Sequence, residues 1–158
     1  MSTPLPGDFG LVRTPDLMGA LIRLGTRSPA NHAFIYVGAG NIVEAAPGGA
    51  RVRSVAEYGD RVRWSSIALT PAQRVLVVDA ARSLVGRPYG FLDIAALALA
   101  SFGLPTGWVE RRVARCTGLI CSQLVALAYE AAGIELSPGD TPATTTPADL
   151  LCVVDGLD

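Results

Sequence analysis

The sequence contains a single histidine, His32, and it has no lysine, because all thirteen of its basic residues are arginine. Any chemistry that needs an imidazole base therefore depends on His32. The formal net charge is −1, which argues against a protein that binds nucleic acid through a broad basic surface. We expect no nucleic-acid partner.

Cysteine is also scarce, and its spacing excludes several kinds of site. The three cysteines, Cys116, Cys121 and Cys152, are an odd number, which does not suggest a framework of structural disulfides. No C-x-x-C pair and no short spacing of zinc ligands is present. The stretch Gly38-Ala-Gly40 lacks the lysine and the spacing of a phosphate-binding loop. We therefore expect neither a metal nor a cofactor.

Long hydrophobic runs are missing too. The N-terminus has no charged segment followed by an apolar one, so we expect no signal peptide. The most apolar stretch, residues 91–104, is interrupted by Asp93, Ser101 and Gly103, and it is too short to span a bilayer. We expect a buried helix there, with a membrane-facing or oligomer-facing surface as the alternative. The localisation stays open between the cytoplasm and delivery by a phage or another special route.

The pattern of apolar residues predicts a single α+β domain over residues 1–158. Half of the residues are apolar, which is enough for a proper core. Strands are predicted at 7–13, 32–37, 41–46, 51–55 and 61–69, and helices at 16–24, 71–85, 91–102 and 121–132. Thr70 and Pro71 are typical of a helix start, and residues 146–149 would begin one last helical turn. Early strands and late helices indicate an α+β fold.

His32 and Glu44 are predicted on the two strands of a hairpin centred on Gly38. An odd loop would place Glu44 directly opposite His32 on the same face, whereas an even loop would place it on the other face. In the first register, the carboxylate would accept a hydrogen bond from one ring nitrogen and stabilise the imidazolium. The other nitrogen would then face a nucleophile.

Cys121 lies at the predicted start of an apolar helix. The first turn of a helix has unpaired N–H groups and the positive end of the helix dipole, and both favour a thiolate. The N–H groups around Cys121 and Ser122 would also contribute to an oxyanion hole. A thiol, an imidazole and a carboxylate are the parts of an activated cysteine nucleophile.

Each of these residues also has a structural interpretation. His32 would then be a packed strand residue, and Cys121 a small residue of the core. Cys152 lies in the apolar stretch of residues 150–154, and we expect it to pack in the core. Cys116 lies in a loop before the helix, and we expect it to be structural or a bystander.

Six segments in order resemble the permuted branch of the NlpC-type, papain-fold cysteine peptidase superfamily. This branch includes YiiX-like proteins and, more distantly, the lecithin–retinol acyltransferase group. The segments are Pro6-Gly-Asp-Phe9, Asn31-His-Ala-Phe-Ile-Tyr-Val-Gly38, Ile42-Val-Glu-Ala45, Gly86-Arg-Pro-Tyr89, Cys121-Ser-Gln-Leu-Val125 and Thr146-Pro-Ala-Asp-Leu150. They extend over most of the chain, and the histidine strand precedes the cysteine helix, as it does in the permuted branch.

The resemblance implies a circularly permuted papain-like fold, with an antiparallel sheet packed against the helix that carries the nucleophile. It also implies Cys121 as nucleophile, His32 as base and later acid, and Glu44 as the residue that orients His32. Tyr89 resembles a tyrosine near the site that assists the oxyanion or binds substrate, with a tyrosine packed in a turn as the alternative. The chain departs from many relatives at Gln123 and Gly90, where they have acidic residues, and this leaves the substrate contacts open.

Three functions follow as expectations. The first is a thiol hydrolase that cleaves an amide bond through an acyl-enzyme, with a bacterial cell-wall peptide as the substrate class that the resemblance implies. The second is a thioesterase or acyltransferase that acts on a lipid-like acyl group, for which residues 91–104 would supply an apolar surface. The third is a catalytically silent structural or interaction module. Contact with a cell wall, a membrane surface or a larger assembly is left open.

Overall fold

The fold is a mixed α+β arrangement, as the sequence predicts. The structure, a computed structural model, describes residues 3–15, 29–90, 119–137 and 141–156. Within these residues the strands are β1 (Phe9–Val12), β2 (His32–Gly38), β3 (Asn41–Ala46), β4 (Gly49–Ser54) and β5 (Arg63–Trp64), and the helices are α1 (Pro71–Ser83), α2 (Cys121–Glu130) and α3 (Pro147–Asp155). The strands form one antiparallel sheet in the order β4-β3-β2-β1-β5.

The two faces of the sheet belong to different apolar clusters. Alternate side chains of a strand point to opposite faces, so Ile35 lies in the main core and Phe34 does not. The main core fills the space between the sheet and the helices, where Leu124 and Tyr129 of α2 are completely buried. A smaller cluster around Phe34 and Tyr58 covers part of the other face.

Local capping explains where two of the helices begin. The side chains of Thr70 and Gln73 form a reciprocal capping box at α1, which agrees with the helix start predicted at Thr70 and Pro71. Thr146 and Asp149 do the same at α3. The prediction of a single turn after Thr146 is wrong, because α3 continues for nine residues before Gly156 ends it with a φ of 65°.

The strand predicted over residues 61–69 is much shorter in the structure. Residues 59–61 form a 3₁₀ turn, and only Arg63 and Trp64 pair with β1. The chain then leaves the sheet, and the side chains of Ile67 and Leu69 pack against the main core. The predicted strand is therefore too long, because Ile67 and Leu69 are apolar for packing against the core and not for pairing in the sheet.

Two predicted helices, at 16–24 and 91–102, lie outside the described residues, as does the whole apolar stretch 91–104. Among the helices that the structure describes, none combines the length and the apolarity needed to cross a bilayer. The assignment of a single domain stays a prediction.

Candidate active site

The hairpin formed by β2 and β3 has an even loop, followed by a bulge. The loop residues Ala39 and Gly40 both have positive φ values, 52° and 74°, as is typical of tight turns between twisted strands. This two-residue loop alone would place Glu44 on the face opposite His32. The register then shifts between Gly38 and Tyr36, which makes Val37 an extra residue on β2.

The bulge returns Glu44 to the face that carries His32. Glu44 pairs with Phe34, and His32 lies two residues from Phe34 on the same strand, so His32 and Glu44 are diagonal neighbours. The distance between Nε2 of His32 and Oε2 of Glu44 is 2.8 Å. Neither register considered from the sequence holds alone, because the loop is even but the bulge restores Glu44 to the face of His32.

Glu44 is completely buried, and four side chains contact its two oxygens. Oε2 accepts hydrogen bonds from Nε2 of His32 and from the hydroxyl of Tyr58, the latter at 2.5 Å. Oε1 accepts from Nε of Arg51 at 2.9 Å, and Nη1 of Arg53 lies 3.5 Å away. Each oxygen is thus held separately, so the carboxylate cannot rotate without breaking several hydrogen bonds.

These contacts keep Glu44 ionised. Burial by itself would raise the pKa of this carboxyl group. The hydrogen bonds from His32 and Tyr58, the charge of His32 and the hydrogen bond from Arg51 outweigh burial and lower the pKa of Glu44 to about 2. Glu44 is therefore a carboxylate at neutral pH and can only accept hydrogen bonds.

Cys121 is the first residue of α2, and its side chain meets His32. The residue is 2% exposed, its Sγ lies 4.0 Å from the carbonyl oxygen of Asn31, and its side chain is near enough to His32 to raise the pKa of that ring. Since Nε2 of His32 is bound to Glu44, Nδ1 is the ring nitrogen left for Cys121. The structure thus brings together the thiol, imidazole and carboxylate singled out from the sequence.

The environment of His32 favours the protonated ring. Burial by itself lowers the pKa of His32, since the residue is only 9% exposed. The interactions of the ring with Cys121 and Glu44 act in the opposite direction and raise the pKa to about 9. An imidazolium at neutral pH is the partner that a thiolate requires.

The first turn of α2 has free donors near Cys121. The N-cap residue, Ile120, has no side-chain oxygen to cap the helix. Within the part of the chain that the structure describes, the backbone N–H groups of Cys121 and Ser122 have no hydrogen-bond acceptor. Among the described residues they are thus available to donate, and an oxyanion hole at this turn stays a prediction.

The side chains next to Cys121 have structural roles. The hydroxyl of Ser122 donates to the carbonyl oxygen of Thr145 at 2.7 Å, so only the backbone of Ser122 is free for an oxyanion. The Gln123 amide accepts from the N–H of Ile120 at 3.1 Å and donates to the carbonyl of Ala143 at 3.1 Å. Gln123 therefore ties the helix start to the loop that precedes α3.

Tyr89 lies beside the segment that leads into α2. It forms an isolated parallel bridge with Leu119, two residues before Cys121, and its side chain is partly buried against the main core. This position agrees with both interpretations of Tyr89, as a residue near the site and as a packed turn residue. Its role with an oxyanion or a substrate stays a prediction.

Of the other two cysteines, the structure describes only Cys152, and Cys152 does not lie in the site. Cys152 is exposed on α3, so the prediction that it packs in the core is wrong. The buried residues of that helix are Pro147 and Leu150, and a residue two positions after Leu150 points roughly 200° away around the helix axis. Cys116 lies outside the described residues.

Three residues of the site were not found from the sequence. Tyr58, Arg51 and Arg53 all contact the Glu44 carboxylate. The alternation of Arg51-Val-Arg53 was a usable signal, because it predicts two arginines on one face of a strand. Their common target depends on the pairing of Arg51 with Glu44, and Tyr58 lies in a turn without any periodicity.

The sequence matches no protein-family model and no curated protein. Among solved structures, the chain is similar to the metalloprotein YiiX from Escherichia coli O157:H7, DUF1105. The TM-score is 0.61 at 20% sequence identity, and the match covers 85% of this chain and 69% of that protein. At this identity the likeness shows a common fold, which agrees with the YiiX-like resemblance at the level of fold alone.

That neighbour is a metalloprotein, whereas the donors of the site in this chain are engaged by other groups. Both oxygens of Glu44 are engaged by cationic or hydroxyl donors, and Nε2 of His32 is engaged by Glu44. In residues 3–15, 29–90, 119–137 and 141–156, no three His, Cys, Asp or Glu side chains are grouped so that they could hold a metal. The described donors therefore do not fit a metal site.

Proposed function

We propose that this protein is a cysteine hydrolase of the permuted NlpC-type, papain-like kind, with Cys121 as nucleophile, His32 as base and then acid, and Glu44 as the residue that orients His32. One observation carries the proposal: the only histidine is hydrogen-bonded to a fully buried carboxylate, and it follows Asn31, whose carbonyl oxygen lies 4.0 Å from Sγ of the helix-start cysteine. The histidine strand β2 precedes the cysteine helix α2, which is the order expected for the permutation.

The ionised carboxylate determines which ring nitrogen acts as base. Glu44 can only accept, so Nε2 of the neutral imidazole must carry the proton that Glu44 binds. Nδ1 then has the free lone pair, and it takes the proton of the Cys121 thiol. The resulting imidazolium is stabilised on one side by the thiolate and on the other by Glu44.

Acylation would follow at the start of α2. The thiolate of Cys121 attacks the carbonyl carbon of an amide, and the oxygen becomes an oxyanion that the N–H groups of Cys121 and Ser122 bind. When the C–N bond breaks, Nδ1–H of His32 donates its proton to the leaving amine. The products of this step are a thioester at Cys121, a free amine and a neutral His32.

Deacylation would use the same groups in reverse order. Neutral His32 takes a proton from water through Nδ1, and the hydroxide attacks the thioester carbonyl. The C–S bond breaks, the carboxylic acid product leaves, and Cys121 returns to the thiolate that pairs with the imidazolium. The net reaction is hydrolysis of one amide bond, and a cell-wall peptide is the substrate class that the family resemblance suggests.

The pH dependence of iodoacetamide alkylation, mapped to each cysteine by mass spectrometry, tests this proposal. In the wild type we expect Cys121 to react rapidly at and below neutral pH, because the imidazolium stabilises its thiolate. In His32→Ala we expect Cys121 to react only in the alkaline range, like an ordinary thiol. Cys152, which is exposed, serves as the internal reference in both proteins.

The outcome also separates the alternatives. If Cys121 is inert, or reacts identically with and without His32, the hydrolase proposal is wrong and a silent structural module is favoured. If Cys121 is activated, the protein should next be offered wall peptides and long-chain acyl esters. Acylation of Cys121 by the esters alone would assign the thioesterase or acyltransferase function instead of amide hydrolysis.

A further inference from the structure

Tyr58 reaches the site from a turn rather than from a strand. It lies between the two 3₁₀ turns at Val55–Glu57 and Gly59–Arg61, directly after β4. Its side chain is nonetheless buried, with 8% of the residue exposed. A buried tyrosine hydroxyl needs a hydrogen-bond partner, and the partner in this structure is Glu44.

The hydroxyl of Tyr58 and the ring of His32 share one oxygen of Glu44. The Tyr58 hydroxyl lies 2.5 Å from Oε2, and Nε2 of His32 lies 2.8 Å from the same atom. The other oxygen is held by Arg51 and Arg53. Tyr58 is therefore the only donor besides His32 that the described residues place on Oε2.

The aromatic ring of Tyr58 is itself held in place. It stacks on Phe34 with 5.1 Å between ring centroids and 10° between planes, and its centroid lies 5.8 Å from that of His32. The guanidinium carbon of Arg53 lies 5.9 Å from the centroid of the Tyr58 ring. A ring fixed in this way presents its hydroxyl to Oε2 in one orientation.

We propose that Tyr58 is a positioning residue of the Cys121–His32–Glu44 site, which fixes Oε2 of Glu44 toward Nε2 of His32 and so keeps Nδ1 directed at Cys121. The inference rests on the proposed function for its catalytic meaning, but not for its geometry. Without the hydroxyl, Oε2 would be held by His32 alone, so the carboxylate and the ring could shift together and the direction of Nδ1 would be less fixed.

The surroundings of Tyr58 keep its hydroxyl protonated, so that it can donate a hydrogen bond. Glu44 is faced by His32 from β2, by Arg51 and Arg53 from β4, and by Tyr58 itself. Burial and the hydrogen bond to the Glu44 carboxylate raise the pKa of Tyr58 above its ordinary value. The phenol therefore remains protonated throughout the pH range in which the thiolate–imidazolium pair would act.

Tyr58→Phe removes the hydroxyl and keeps the ring, and Tyr36→Phe is the matched control. Tyr36 lies on the same strand as His32, but its hydroxyl accepts from the N–H of Gly40 at 3.1 Å and does not contact Glu44. We expect Tyr58→Phe to slow iodoacetamide alkylation of Cys121 at neutral pH by roughly tenfold, the size expected for one hydrogen bond to a charged group. Tyr36→Phe should leave this rate within about twofold of the wild type.

A second measurement reports on the ring without requiring any activity. Because His32 is the only histidine, the nitrogen resonances of its ring can be read without ambiguity by NMR. In a Cys121→Ala background at alkaline pH, we expect only the Nε2–H tautomer of the neutral ring, with or without Tyr36→Phe. Adding Tyr58→Phe should give a mixture of both tautomers, which a loss of packing alone would not cause.

The two measurements separate this inference from the proposed function. If Tyr58→Phe is folded, alkylates Cys121 at the wild-type rate and keeps a single tautomer, Tyr58 is a packing residue and the inference is wrong. If Cys121 is unreactive in the wild type while the tautomer still depends on Tyr58, the positioning role stands and the hydrolase proposal fails. If Tyr58→Phe does not fold, Tyr58→Met, which also lacks the hydroxyl, is measured in the same way.

Discussion

The raised pKa of His32 predicts that the stability of the protein falls at alkaline pH. The pKa is raised from 6.5 to about 9, and one pKa unit corresponds to about 1.4 kcal/mol. His32 is 9% exposed, so solvent screening removes little of this energy. The interactions of the protonated ring should therefore contribute about 3 kcal/mol to the free energy of unfolding.

The sign follows from which state binds the proton more tightly. A raised pKa means that the folded protein holds the proton of His32 where the unfolded chain has already lost it. The contribution is fully present below pH 6.5 and is lost as the pH rises through about 9. The lowered pKa of Glu44 contains the same His32–Glu44 interaction, so the two contributions are not added.

Urea unfolding, followed by tryptophan fluorescence under reducing conditions, measures this directly at about pH 6 and about pH 10. The wild type should lose about 3 kcal/mol more than His32→Ala between these two values, because only the wild type has the imidazole. The variant is the control for every titrating group that is independent of His32, and the same comparison in a Cys121→Ser background removes the thiol that pairs with the ring. Equal losses in the two proteins, or a wild type that gains stability, would refute the assignment of a protonated His32 held by Cys121 and Glu44.

Two further substitutions test the packing around the site. Glu44→Gln keeps the shape of the side chain but removes the charge that faces Arg51. We expect the free energy of unfolding to fall by roughly 2–4 kcal/mol. This is somewhat less than for a fully buried ion pair, because Arg51 reaches solvent. The deficit, from urea unfolding, should be present above pH 4.5 and shrink as the pH falls toward about 2, and a pH-independent deficit would contradict an ionised Glu44. Gly10→Ala would bring a Cβ atom to 2.5 Å from the ring of Phe34, and we expect a loss of about 1–3 kcal/mol. The exposed Cys152→Ser is its control and should stay within about 0.5 kcal/mol of the wild type, whereas equal stability of Gly10→Ala would show that the ring can move aside.

Helix starts were predictable because their signals are local. Thr70 followed by Pro71, and Thr146 followed by Pro147, provide a capping hydroxyl and a residue fixed near the helical φ within a few positions. Helix length was less predictable, since α3 continues for nine residues where a single turn was expected. Its length depends on the packing of Leu150 in the main core, which is a contact between distant parts of the chain.

The exposure of Cys152 was wrongly predicted for a related reason. An apolar stretch predicts burial on average, but a helix has one buried side and one exposed side. Which side Cys152 occupies depends on how α3 docks, and Leu150 takes the buried side. The sequence around Cys152 contains no signal of that rotation.

The thiol, the imidazole and the carboxylate of the candidate site could be identified from the amino-acid sequence alone. Because the sequence has one histidine, only His32 can be an imidazole base. Cys121 is the favoured nucleophile because it lies at the start of an apolar helix. The pattern of apolar residues also predicts that His32 and Glu44 lie on neighbouring strands. Whether these side chains come together depends on how the chain folds. The face of Glu44 depends on the parity of the loop plus the bulge at Val37, and its fixed orientation depends on Tyr58 and two arginines that approach from other segments. Periodicity and capping signals depend on residues that are close in sequence, so they can be read from the sequence. Register and burial depend on contacts between distant segments, so they cannot.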